Sequence, residues 1–184
     1  NKHMARNNVK KNEIALKIQR KYLYDRLDQL MRTEHLETEV GKWLSRGISL
    51  YLDKKVKWNA LELRHLMNQH FTYDVVDLPD NLELDHKKIQ KYLEQFCQKE
   101  LEQKAKVLIN SEQLNQFYRS ALLNALDSSW TDQMAYLSKL SVIVQPWTTA
   151  QRDPKFMYQE KAYQAFEKMF DTVAKKVVDN LMLS

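Results

Sequence analysis

Residues 123–144 read LNALDSSWTDQMAYLSKLSVIV, and the spacing within them decides the fold. Leu123, Leu126, Trp130, Met134, Leu137, Leu140 and Val144 recur in steps of three or four, which is the period of one face of an α-helix. Upstream, Ser111 is suited to cap such a helix. At ~1.5 Å per residue, a helix from there to Val144 is roughly 50 Å long. Pro146 ends it, because proline has no N–H to donate and its ring clashes with the preceding turn. Asp153-Pro154 then opens another helix, with the aspartate as cap and the proline at the first helical position. Its stripe is Tyr158, Ala162, Phe166, Met169, Val173, Val177 and Leu181. Two apolar stripes joined by a short connection bury each other most readily as an antiparallel hairpin.

Composition extends this reading to the whole chain. Two glycines and three prolines in 184 residues leave few breakers, which favours long helices over a sandwich or barrel with its many turns. The fold class is therefore all-α: a long first helix, a smaller helical subdomain and a long two-helix hairpin. The hydrophobic share of 43% is enough for a core, while 29% charged residues argue against a membrane-embedded chain. No apolar run approaches the ~18 residues of a membrane span. The net charge of +5 is concentrated at the start, where residues 1–33 carry nine Lys or Arg against three Asp or Glu. Such a segment suits a solvated helix face, an acidic lipid surface, an acidic protein face or nucleic acid. The single Cys97 rules out a disulfide within the chain and fits a reducing compartment. Beside Phe96, it reads as a small core residue.

Residues 5–33 form one predicted helix, with Ile14, Ile18, Leu23, Leu27, Leu30 and Met31 as its apolar face. Residues 35–110 read as a smaller helical subdomain, with Gly41 and Gly47 within or between short helices. Asn59 followed by Glu62 fits an N-cap with a reciprocal carboxylate three residues on. Tyr73-Asp74-Val75-Val76 leans towards extended structure, and Pro79-Asp80-Asn81 signals a turn, so 71–84 is a predicted loop with a possible short extended piece. A helix over about 86–109 follows, its stripe Ile89, Tyr92, Leu93, Phe96, Leu101, Ala105 and Leu108.

Enzyme signatures are missing from the sequence. It contains neither GxxxxGK(S/T) nor HExxH. His65 and His70 are five apart and so point from different helix faces, which disfavours a shared metal. The carboxylates form no pattern that nominates a general acid and base. The reading is no catalytic residue and no metal in this chain.

Two segments of the hairpin are more specific. Leu126-Asp127-Ser128-Ser129-Trp130-Thr131-Asp132-Gln133-Met134, and Ala150-Gln151-Arg152-Asp153-Pro154-Lys155 running through Tyr158 to Phe166 and Met169, resemble the SecA pattern LDxxWxxHL followed by AQ(K/R)DPxxEY and FxxM. Phe71-Thr72-Tyr73-Asp74 with Leu78-Pro79 is similar to an FDLDLP-like stretch of the SecA wing, and Gln19-Arg20 with Tyr24 to a QRxxIY stretch of its long scaffold helix. The family is an ATP-driven motor that moves secretory preproteins through the SecY channel. The resemblance implies that 5–33 is part of the long scaffold helix that packs on the motor domains. It implies that 34–110 is the helical wing, and that 111–184 is helical scaffold with the two-helix finger whose tip enters the channel mouth. ATP and Mg would belong to nucleotide-binding domains absent from this sequence, leaving no cofactor here. Partners would be a SecY-type channel, the preprotein, the protein's own motor domains and an acidic membrane surface, with no nucleic acid, in the cytoplasm and peripherally on the membrane's cytoplasmic face.

The fingertip departs from the family. Where the family runs HLRGYAQ, this sequence has Gln145-Pro146-Trp147-Thr148-Thr149-Ala150-Gln151. Thr149 stands where the family's tip tyrosine is thought to touch the moving chain, and the aromatic is Trp147 instead. Trp147 either takes the contact role, offering large area at low entropy cost, or folds back on the hairpin. Gln133 replaces the family's histidine, and the sequence ends at Ser184 with no Cys-rich tail. These departures suit an accessory type of SecA. Trp130, Asp153 and Pro154 are read as structural, the tryptophan by packing and the other two by starting a helix. A plain helical adaptor that binds other proteins remains the alternative function.

Overall fold

With so few breakers, nearly every stretch between loops becomes helix. The computed structural model describes residues 2–53, 55, 57–144 and 153–184, and among these there are six helices and no strand. They are α1 (Lys2–Arg32), α2 (Glu37–Leu52), α3 (Ala60–His70), α4 (His86–Val107), α5 (Ser111–Ile143) and α6 (Pro154–Met182). The expected all-α class and the paired long helices are both present.

The helices gather into two compact units. The first comprises Asn1–Arg32 and Leu126–Phe170, and the second Thr33–Ala125 and Asp171–Ser184. In the first unit, Leu137, Leu140 and Val144 share a buried cluster with Tyr158 and Ala162, and Ala15 and Leu16 of α1 pack against it. The end of α5 therefore lies beside the beginning of α6. One part of α1 differs from the sequence expectation. Leu23 and Leu30 are buried, but Ile14, Ile18 and Met31 are more than half exposed. The buried face instead runs through Leu16, Gln19 and Leu23, so a polar residue occupies a position that hydrophobic periodicity assigned to its apolar neighbours.

In the second unit, α2 contains both Gly41 and Gly47 and carries the stripe Val40, Trp43, Leu44, Gly47, Ile48 and Leu52. Gly47 sits where a backbone passes close. A Cβ there would lie 2.5 Å from the carbonyl oxygen of Ala174 and 2.6 Å from Cγ2 of Val178, whereas Gly41 has open space. Absence of a side chain lets α2 approach α6 at that point. The α3 helix opens with the expected capping box: Glu62 N–H donates to Asn59 Oδ1 at 2.7 Å, and Asn59 N–H donates to Glu62 Oε1 at 3.1 Å. On α4, Asp85 accepts from Lys88 N–H at 2.9 Å, and Ile89, Leu93, Cys97 and Leu101 bury a strict i,i+4 row. Residues 71–84 form no strand. The one extended feature nearby is an isolated antiparallel bridge between Lys57 and Asp85, and Leu82 N–H closes a turn on Pro79 at 3.1 Å.

Candidate functional site

The fingertip residues Gln145, Pro146, Trp147, Thr148, Thr149, Ala150 and Gln151 lie outside the described residues. The elements that carry them are described on both sides. Val144 is 3% exposed and is held by its N–H donating to Leu140 at 3.1 Å. On the other side, Asp153 Oδ1 accepts from Lys155 N–H at 3.1 Å, and its carbonyl accepts from Met157 N–H at 3.1 Å. These bonds satisfy donors that a helix start leaves open. Pro154 is the first residue of α6. Phe156, Val142 and Ile143 stand exposed near this end.

Further along α5 and α6 lies a polar joint. Gln133 Nε2 donates to Gln19 Oε1 at 3.1 Å, and Gln19 Nε2 donates to the carbonyl of Ala162 at 3.2 Å. Both glutamines are more than nine-tenths buried. Amides placed there must find partners, because an unsatisfied buried polar group costs about 1–3 kcal/mol. The chain of bonds joins α1, α5 and α6. Sequence reasoning noticed both residues for their family motifs without pairing them. The signal was present: Gln19 lies four before Leu23, and Gln133 lies three after Trp130 and four before Leu137, so each occupies a core register. Beside the joint, Tyr22 meets Phe166 and Phe170 edge-on, with centroids 5.8 and 5.9 Å apart. Trp130 is 3% exposed on the inner face of α5.

The second unit holds its own polar lock. Tyr51 O–H donates to Asp179 Oδ1 at 2.6 Å, and His70 Nδ1 lies 3.1 Å from both oxygens of the same carboxylate. The Tyr51 and His70 rings stack at 4.1 Å. Burial and the adjacent Asp179 push the Tyr51 phenol well above its usual range, so it remains a donor. The group ties α2, α3 and α6 together. Cys97 is no candidate either: burial pushes its thiol up to about 12, which keeps it protonated and unreactive at neutral pH. Lys104 donates to the carbonyl of Leu181 at the end of α6, and burial lowers its ammonium pKa. Among the described residues, no group of three His, Cys, Asp or Glu side chains is placed to hold a metal, and no helix is long and apolar enough to cross a membrane.

A helical hairpin end with a capped return is thus set on a polar joint of three helices. The chain is 35% identical over 181 residues to a protein of Lactobacillus johnsonii named protein translocase subunit SecA 2, covering 98% of this chain and 23% of that relative. It is 26% identical over 172 residues to the SecA 2 subunit of Streptococcus gordonii, covering 92% of this chain and 22% of the relative. It is 27% identical over 197 residues to the SecA 1 subunit of Corynebacterium jeikeium, covering 97% and 22%. The chain thus spans less than a quarter of the length of these relatives. The sequence profile described as SecA Wing and Scaffold domain matches residues 1–184, and the chain belongs to that family.

Proposed function

We propose that this chain is the part of an accessory-type SecA motor that couples movement of ATP-binding domains to passage of a preprotein through a SecY-type channel. The observation that carries the proposal is the buried cluster of Leu137, Leu140 and Val144 with Tyr158 and Ala162. A packed pair of helix ends moves as one body, so the connection 145–151 can be pushed against a partner without its base yielding. Trp147 is the residue assigned to contact the preprotein. In this reading 5–33 is scaffold helix, 34–110 wing, and 111–184 scaffold with finger. Ile14 and Ile18 stand one turn apart and are 54% and 65% exposed, which supports docking of this face of α1 on the motor domains. ATP and Mg act in those domains, with no cofactor held here, and the protein works in the cytoplasm at the inner membrane face beside acidic lipid.

The test is site-specific photocrosslinking. A photoreactive residue at position 147 of the full-length protein should crosslink to a stalled preprotein and to channel loops during ATP-driven transport. Trp147→Ala should lower transport while this chain stays folded. Active transport with no crosslink from 147, and unchanged transport by Trp147→Ala, would remove the fingertip from the mechanism and favour a plain adaptor.

A further inference from the structure

Helices α2 and α4 pack together in the second unit, and a groove of about 910 Å³ opens between them. Each wall carries cations one helical turn apart: Lys42 and Arg46 on α2, Lys87 and Lys91 on α4. Like charges at i,i+4 disfavour a helix, and here two such rows face one space. The charges inside the groove do not cancel them. Its one lining carboxylate, Glu94, accepts from Ser45 Oγ and from Gln90 Nε2, both at 2.8 Å. Arg46 is paired with Asp171 at 2.7 Å. Lys42, Lys87 and Lys91 form no ion pair among the described residues. His86 lines the groove at the start of α4.

We infer that this groove is a docking site for an extended, acidic polypeptide segment. Its length fits: eight to nine helical residues along each wall, at ~1.5 Å per residue, give about 10–12 Å, room for three or four extended residues at ~3.3 Å each. Its chemistry fits too. The Ser49 hydroxyl stands among the lysines as a polar group of the floor, while the Ser45 hydroxyl and the Gln90 amide are already bonded to Glu94 and the Ser45 carbonyl and hold the two walls together. No large apolar side chain lines the groove, so it lacks what a lipid-inserting surface presents between its cations. No Phe, Tyr or Trp, the rings on which nucleobases stack most strongly, lines it. Three separate lysines match two or three carboxylates along one strand. The inference stands independently of the fingertip.

The experiment is fluorescence anisotropy of labelled hexaglutamate with the full chain, against hexaglutamine and against phosphatidylglycerol vesicles. Lys42→Gln/Lys87→Gln/Lys91→Gln is compared with Lys99→Gln/Lys106→Gln/Lys139→Gln, which removes the same charge elsewhere, and a thermal melt checks the fold of each. Hexaglutamate should bind at 50 mM salt, weaken at 300 mM as charge contacts are screened, and weaken about tenfold in the groove variant but less than twofold in the control. Single Lys91→Glu, at an exposed position, should weaken it at least threefold even if the triple variant unfolds. No hexaglutamate binding, equal losses in the two triple variants, or lysine-dependent binding of vesicles alone would each overturn the assignment.

Discussion

Gly47 and Gly41 lie six residues apart in one helix, and replacing each with alanine should move stability in opposite directions. At Gly47 a Cβ would meet the Ala174 carbonyl oxygen at 2.5 Å and Val178 Cγ2 at 2.6 Å. The first of these belongs to a helix backbone, so relief requires α2 and α6 to part by most of an ångström within the second unit. Overpacking of this kind costs about 1–3 kcal/mol, and with backbone as the obstacle the upper end applies. Alanine regains about 1 kcal/mol through helix propensity, leaving Gly47→Ala about 2 kcal/mol less stable. For a chain of this size that lowers Tm by roughly 4–8 °C. Gly41→Ala meets nothing within 4 Å, so only the propensity term remains, and Tm should rise by about 1–4 °C. Circular-dichroism melts of the two variants and the parent decide the matter. A Gly47→Ala protein as stable as the parent, or two variants shifting the same way, would refute the close approach of α2 and α6.

Three more outcomes follow from the packing. Trp130→Ala should lose about 3–5 kcal/mol of stability, as large buried aromatics do; a denaturant midpoint within error of the parent would show that the indole is not core. Gln133→Leu should cost about 1–3 kcal/mol by orphaning Gln19 Oε1, while Gln19→Leu/Gln133→Leu should cost less than the two single changes together; strict additivity in denaturant titrations would show that the amides act separately. Cys97 should resist a thiol reagent in the native state and react at once in denaturant. Because its folded pKa is raised to about 12 from an ordinary value of 9.0, its contribution to stability is complete below pH 9 and is lost as pH climbs towards 12. A fast native reaction at pH 8 would show that the thiol is not buried.

The long helices were legible because their signals are local. Pro154 and Asp153 mark the start of α6, Asn59 and Glu62 the start of α3, and the three-and-four spacing from Leu126 to Val144 crosses no breaker. The buried face of α1 was less legible. Ile14, Ile18 and Met31 are apolar and helically spaced, yet they stand exposed while Gln19 is buried. Periodicity ranks faces by hydrophobicity, and it misleads where a buried face carries an amide whose partner lies 114 residues away. Residues 73–76 gave the opposite problem: β-leaning side chains without a neighbouring strand do not make a ladder, and Val75 is 96% exposed. The basic groove was invisible in sequence because Lys42 and Lys87 become neighbours only when α2 and α4 pack.

The paired glutamines of the first unit also act as a detent. Sliding α1 by one turn, about 5.4 Å, would carry Gln19 out of reach of both Gln133 and Ala162. The Gln19 amide would be stranded in the interior, where apolar side chains alone would have tolerated a gradual glide, and Gln133 would be left with only its 3.5 Å bond to the Ala162 carbonyl. The helix therefore has an indexed resting position and resists creep, yielding only to a load large enough to unseat both bonds at once.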